Sequence, residues 1–246
     1  MVLSLWLALA GLISLTPPLT VSAAVSLSEV LAAIAAEYEK AGGAPVRFNF
    51  AASNVLARQI ANGAPVDVFI SADAVQMDVA QRAGAIDAAT RVDIVANRLA
   101  VLVRAGAGVT VRNVGDLANP GIRRIALGNP DAVPGGVYAR QYLRELSLWT
   151  ELEKKIVPTS TVRAALAAVE NGSVDAALVY ETDTLQARTA AIAFIVTSGG
   201  PRITYPAAVV SRSPRADEAR KFLEFLRSRA AGEIFRRSRF QPLSSS

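Results

Sequence analysis

The chain has 246 residues and contains no cysteine and no histidine. These absences remove structural zinc, cysteine and histidine nucleophiles, histidine general bases and any Ser–His–Asp triad. They leave the compartment open, because a cysteine-free chain suits a reducing cytosol and a disulfide-free exported protein equally. Aromatic residues are scarce at 6%, although hydrophobic residues make up 52%. Much of that apolar fraction is alanine, which suits closely packed α/β layers. Clustered charge is also missing. The net charge is +5, yet the basic residues are scattered apart from Arg236, Arg237 and Arg239. Without a basic stripe, nucleic acid is not an expected partner. There is no internal repeat, low-complexity segment or flexible linker.

A long apolar run is lacking too. Val2 to Leu15 is mostly apolar but falls short of the ~20 residues of a membrane span. Its length fits the core of a signal peptide. The usual basic flank is absent, since the first Lys or Arg is Lys40. Val21-Ser22-Ala23 and Ala8-Leu9-Ala10 both fit the small-residue rule for cleavage. Only the second spares a first strand, so residues 1–18 are expected to be a signal segment or its remnant, removed between Ala10 and Pro18. A buried first helix of a cytosolic protein is the alternative.

What is present is a succession of βα units. The stretch from Phe50 to Asp73 organises them. It reads as strand end, turn, helix, turn and buried strand. Ser53 stands where an N-cap belongs, just before the amphipathic run Val55, Leu56, Ile60. Gly63 stops that helix and Pro65 blocks its continuation. Val66 to Ile70 is an apolar strand and Asp73 the next N-cap. Upstream, Leu19 to Val25 is a strand, and Ser26-Leu27-Ser28-Glu29 has capping-box spacing before a helix with Leu27, Val30, Leu31, Ile34 and Tyr38 on one face.

Downstream, strands are expected at Arg98–Val103, Arg124–Leu127, Asp175–Tyr180 and Ala191–Val196. Helices are expected at Val137–Leu146, after Thr161, and at Arg215–Ser228. Ile203 to Ser211, interrupted by Pro206, should be an edge or crossing strand. Repeated βα units predict parallel sheets. Two such halves, crossing near residue 95 and returning near 206, predict two lobes: 19–95 plus 207–246, and 96–206. A ligand cleft would lie between them at the carboxyl ends of the strands.

Four helix N-termini carry small polar or glycine residues: Ser26, Ser53, Gly135-Gly136 and Thr161-Val162. Tyr180 ends a strand. Free N–H groups and a partial positive charge at each N-terminus suit an anion. Taken singly, each has a plainer reading. A serine there is usually a cap, a glycine pair a turn, and a tyrosine part of the core. Convergence in one cleft is what would make them a site.

In order along the chain, VSLSEVL, FAASNVLARQIANGAPVDVFISAD, GNPDAVPGGVYARQYL, VRAALAAVENG, VYETD and YPAAVV resemble the periplasmic molybdate-binding proteins of ABC importers. The resemblance covers nearly the whole mature chain. It implies a two-lobed α/β architecture, the type II periplasmic-binding-protein fold, with a mostly parallel sheet flanked by helices in each lobe. It further implies capture of molybdate or tungstate and delivery to an ABC permease by a monomer in the periplasm. The ligands it implies are Ser26 and Ser53 through hydroxyl and amide, Gly135 and Val162 through amides, and Tyr180 through its phenol. The metal would be met only through its oxygens, and no cofactor is implied. The family often has Ala at Gly135 and commonly has Gly where Arg239 stands. Another tetrahedral oxyanion such as sulfate is the nearest alternative. A transcription regulator's effector domain would need an extra DNA-binding arm. An enzyme using Ser53 as nucleophile would lack a base.

Overall fold

The computed structural model describes residues 17–106 and 108–243. The apolar run at Val2 to Leu15 lies outside them. The strands and helices, in chain order, are β1 (Leu19–Ala24), α1 (Ser28–Lys40), β2 (Val46–Ala51), α2 (Ser53–Ala61), β3 (Val68–Ile70), α3 (Ala74–Arg82), β4 (Val92–Asn97) and β5 (Leu99–Val103). They continue with β6 (Ile125–Gly128), α4 (Pro134–Glu145), α5 (Trp149–Leu152), β7 (Ile156–Thr159), α6 (Val162–Glu170), β8 (Ala176–Tyr180) and β9 (Ala191–Ile195). The chain closes with β10 (Ile203–Val209), α7 (Ala216–Leu226), α8 (Arg229–Arg237) and β11 (Gln241–Pro242). They form a six-stranded sheet in the order β11-β4-β10-β3-β1-β2 and a five-stranded sheet in the order β7-β6-β8-β5-β9.

Both sheets are mixed, not mostly parallel. β1 pairs in parallel with β2 and β3, and β6 with β7 and β8. β10 and β11 in the first sheet, and β5 in the second, pair antiparallel. The strands that carry the chain between sheets cause this, because they run against the βα units they join. The crossing points expected near 95 and 206 fall inside β4 and β10, both in the six-stranded sheet. The change of sheet occurs at Arg98, and again between Ile195 and Ile203.

Strand periodicity sorts side chains to opposite faces. Val68 and Ile70 face one core, while Phe69 between them faces the other with Leu56, Ile60 and Met77 of α2 and α3. The first core also takes the apolar stripe of α1. Tyr38 packs its ring 5.2 Å from Phe222 and 5.1 Å from Phe225 of α7. Each large apolar side chain so buried contributes about 1.5–3 kcal/mol.

β10 is no edge strand: it lies between β3 and β4. Its register shifts between Tyr205 and Pro206, and this bulge absorbs the missing proline N–H. Arg239, at the family's usual glycine position, has φ +64°. A side chain in that left-handed conformation costs roughly 1–2 kcal/mol. Its guanidinium donates to Thr184 Oγ1 at 2.7 Å.

Candidate functional site

β1, β2, β3, β6 and β8 end at Ala24, Ala51, Ile70, Gly128 and Tyr180. The chain just beyond these carboxyl ends lines one cavity, with residues from both sheets. About 20 Å³ is open to the centre of a water-sized sphere, which with a water radius of ~1.4 Å makes a cavity roughly 3 Å in radius. That suits one compact ion better than a sugar or an amino acid. Ser26, Ser53, Gly135, Val162 and Tyr180 all line it. Among the described residues no charged side chain does.

Ser53 is the first residue of α2 and not its cap, since Ala52 holds the cap position and the serine makes no side-chain cap bond. Its Oγ instead accepts the Ala72 N–H at 2.9 Å. That bond leaves the hydroxyl proton unused and free to turn to the cavity. Val55 and Leu56 both donate to Ala52 O. Among the described residues the Ser53 amide finds no acceptor, as expected of a first-turn N–H.

Ser26 lies in a 3-10 turn, Val25–Leu27, that precedes α1, and the expected capping box does not form. Its Oγ lies 3.1 Å from Tyr205 Oη. Asn97 Nδ2 donates to that same Oη at 3.2 Å.

Helix α4 starts three residues earlier than the sequence suggested. Pro134 takes the first helical position, where its missing N–H costs nothing. Gly135 and Gly136 are therefore helical, not loop. Gly136 and Val137 both donate to Val133 O at 2.9 Å. Gly135 is left with the unpaired amide of this turn, at the cavity wall. The two glycines differ in kind. A Cβ on Gly136 would lie 1.7 Å from Gly128 O, while one on Gly135 would meet Val162 and the Tyr180 ring at an ordinary 3.4 Å.

Thr161 caps α6 as expected, accepting the Ala164 N–H at 3.0 Å. This leaves the Val162 amide unpaired at the helix start. Tyr180 is 1% exposed, and among the described residues its hydroxyl has no hydrogen-bond partner. An orphaned buried hydroxyl costs about 1–3 kcal/mol. Burial first, then neighbouring Tyr205, holds this phenol well above its ordinary range, so it stays protonated and a donor.

A buried carboxylate backs each side of the cavity. Asp73 caps α3 through Gln76 N–H at 2.8 Å, and burial raises it to about 6. Asp183 accepts the Tyr180 N–H at 3.0 Å, and burial raises it to about 6 against the pull of Arg163. Arg163 Nε lies 3.0 Å from Asp183, but its N–H is not aimed along the contact, so this is an ion pair without a hydrogen bond. Arg163 also holds Glu29 of α1 at 2.5 Å, joining the two lobes. Sequence reasoning missed Ala72, Asn97, Tyr205 and this arginine. Asn97 stood in GAIDAATRVDIVANRLAVLV and Tyr205 in YPAAVV, both blocks that resemble the family, but nothing local assigned either a role.

The model of the bacterial extracellular solute-binding protein family matches residues 19–241. The molybdate-binding protein ModA of Escherichia coli strain K12 is 38% identical over 230 residues, covering 90% of this chain and 88% of that one. The periplasmic molybdate-binding protein of Azotobacter vinelandii superposes with a TM-score of 0.81 at 25% identity, over 90% of this chain and 98% of that one. The sulfate-binding protein SubI of Mycobacterium tuberculosis also gives 0.81, at 20% identity over 93% of this chain and 88% of that one, which shows the shared fold alone. The chain belongs to the bacterial extracellular solute-binding protein family. Within it, the chain stands with the periplasmic molybdate-binding proteins of ABC importers, and its architecture is their two-lobed fold.

Proposed function

We propose that this protein captures molybdate or tungstate in the cavity between its lobes and delivers it to an ABC permease. The observation that carries the reading is the character of the lining. The hydroxyl-bearing Ser26, Ser53 and Tyr180 line the space with the helix-start amides of Ser53, Gly135 and Val162, and among the described residues no charged side chain lines it. A fully deprotonated tetrahedral anion needs donors alone, and fixed donors shielded from water hold it without a cation. Ser26, Ser53, Gly135, Val162 and Tyr180 are the proposed ligands. Chemistry at Ser53 has no support, because its hydroxyl's protein partner is an N–H donor and not a base. We further take the protein to act as a periplasmic monomer whose lobes close on the ion by bending at the two points where the chain changes sheet.

Calorimetric titration with molybdate, tungstate, sulfate and phosphate tests this. Tight one-to-one binding of the first two, with the others silent, is expected. Binding of sulfate instead would keep the oxyanion cleft and discard the named ligand. Silence from all four would overturn the site.

A further inference from the structure

The hydrogen bond between Ser26 and Tyr205 has two possible directions, and the residues behind it choose one. Asn97 Oδ1 accepts the Arg98 N–H at 2.9 Å, which fixes the amide plane. Its Nδ2 then donates one proton to Thr182 Oγ1 at 3.0 Å and the other to Tyr205 Oη at 3.2 Å. An amide nitrogen cannot accept. Tyr205 is fully buried, and burial holds its phenol protonated. Its proton has one acceptor within reach, Ser26 Oγ at 3.1 Å. Were Ser26 to donate instead, the Tyr205 proton would be buried without a partner, a large penalty compared with an ordinary hydrogen bond.

We infer that Asn97 and Tyr205 are positioning residues which, through a one-way chain of hydrogen bonds, turn the Ser26 proton away from Tyr205 and toward the cavity. This rests on the oxyanion reading above and adds a cause of selectivity to it. A protonated oxyanion such as hydrogenphosphate presents an O–H that needs an acceptor. Ser26 Oγ and Ser53 Oγ each have one of two acceptor positions already filled, by Tyr205 and by Ala72, and with its proton turned to the cavity Ser26 presents a donor there, so the serine side is poorly prepared to accept. Releasing the chain frees Ser26 to turn and accept.

The test is a double-mutant cycle of Tyr205→Phe with Ser26→Ala, read by calorimetric titration of the full chain with molybdate and with phosphate at pH 7. Ser26→Ala is expected to weaken molybdate about tenfold to hundredfold, the range for a bond to a charged group. Tyr205→Phe is expected to weaken it about three- to tenfold on its own, and to have no further effect once Ser26 is alanine. It should also narrow the gap between molybdate and phosphate. A purely packing role for Tyr205 predicts equal losses in both backgrounds and an unchanged gap, and that result would overturn the inference. Should Tyr205→Phe fail to fold, Asn97→Leu answers the same question without adding a charge. It removes the donor to Tyr205 Oη and frees that oxygen to accept from Ser26, so it should weaken molybdate no more than Ser26→Ala does and add nothing to it, whereas an additive effect would again overturn the inference. Absence of molybdate binding by the unaltered protein would bring down the oxyanion reading itself, whereas binding with an additive cycle would remove only this inference.

Discussion

The two walls of the cavity are built from the same kind of group but finished differently. On the six-stranded side, both serine hydroxyls already have protein partners, Ala72 and Tyr205. On the five-stranded side, the Tyr180 hydroxyl has none. The hydroxyl oxygens of one wall are already partnered, and the phenol of the other is not. Substitutions on the first wall should therefore disturb the empty protein as well as binding. Removing the Tyr180 hydroxyl from the second should disturb binding alone.

The largest effect expected is structural. Gly136→Ala would drive a Cβ to 1.7 Å from Gly128 O, so α4 must leave β6. A loss of about 3 kcal/mol or more in a denaturant melt is expected; a loss under about 1 kcal/mol would show that this wall is loosely seated. Next come the carboxylates behind the walls. Asp73 sits at about 6, above its ordinary 3.8. Its contribution to stability is fully present below about pH 4 and is lost as pH rises through 6, as much as about 3 kcal/mol. Asp183 titrates in the same direction. Asp73→Asn keeps the cap and should flatten the fall in stability between pH 4 and 7. An unchanged profile would assign the whole fall to Asp183.

Ser53→Ala leaves the Ala72 N–H buried and unpaired, so the ion-free protein should lose about 1–3 kcal/mol while oxyanion affinity falls about tenfold or more. Tyr180→Phe should cost a comparable share of affinity and leave the ion-free melt unchanged or raised by up to ~1 kcal/mol. Equal losses of ion-free stability in these two variants would abolish the contrast between the walls. Gly135→Ala should be the mildest. It keeps the amide, has room for its Cβ, and replaces a helical glycine, a gain of up to ~1 kcal/mol.

Much of this was legible in the sequence, for particular reasons. Thr161 and Asp73 cap their helices as their spacing indicates, because capping is settled within a few residues. The five proposed ligands were legible because each stands at an element boundary. Direction and partner were not. Ser26 and Ser53 read as caps, yet both hydroxyls bond to residues far along the chain, and nothing local encodes that. The stretch Val92 to Val103 held a single predicted strand starting at Arg98, because β4 and β5 are both apolar and only one residue separates them. Pro206 argued for an edge or crossing strand; β10 is where the chain returns to the first sheet, and a bulge lets the proline into the middle of it. β7 carries Pro158 and β11 has two residues, so neither gave an apolar signature.

The strand orders also carry a message about the timing of folding. Every strand of the five-stranded sheet comes from the continuous stretch between Leu99 and Ile195. The six-stranded sheet joins Leu19 near one end of the chain to Pro242 near the other, and its centre is β10. During synthesis, the second lobe has all its strands while the first still lacks the strand that binds β3 to β4. Closing that sheet spans almost the whole chain, which makes it the slow step. The first lobe therefore has no complete sheet until β10 and β11 have followed the whole second lobe.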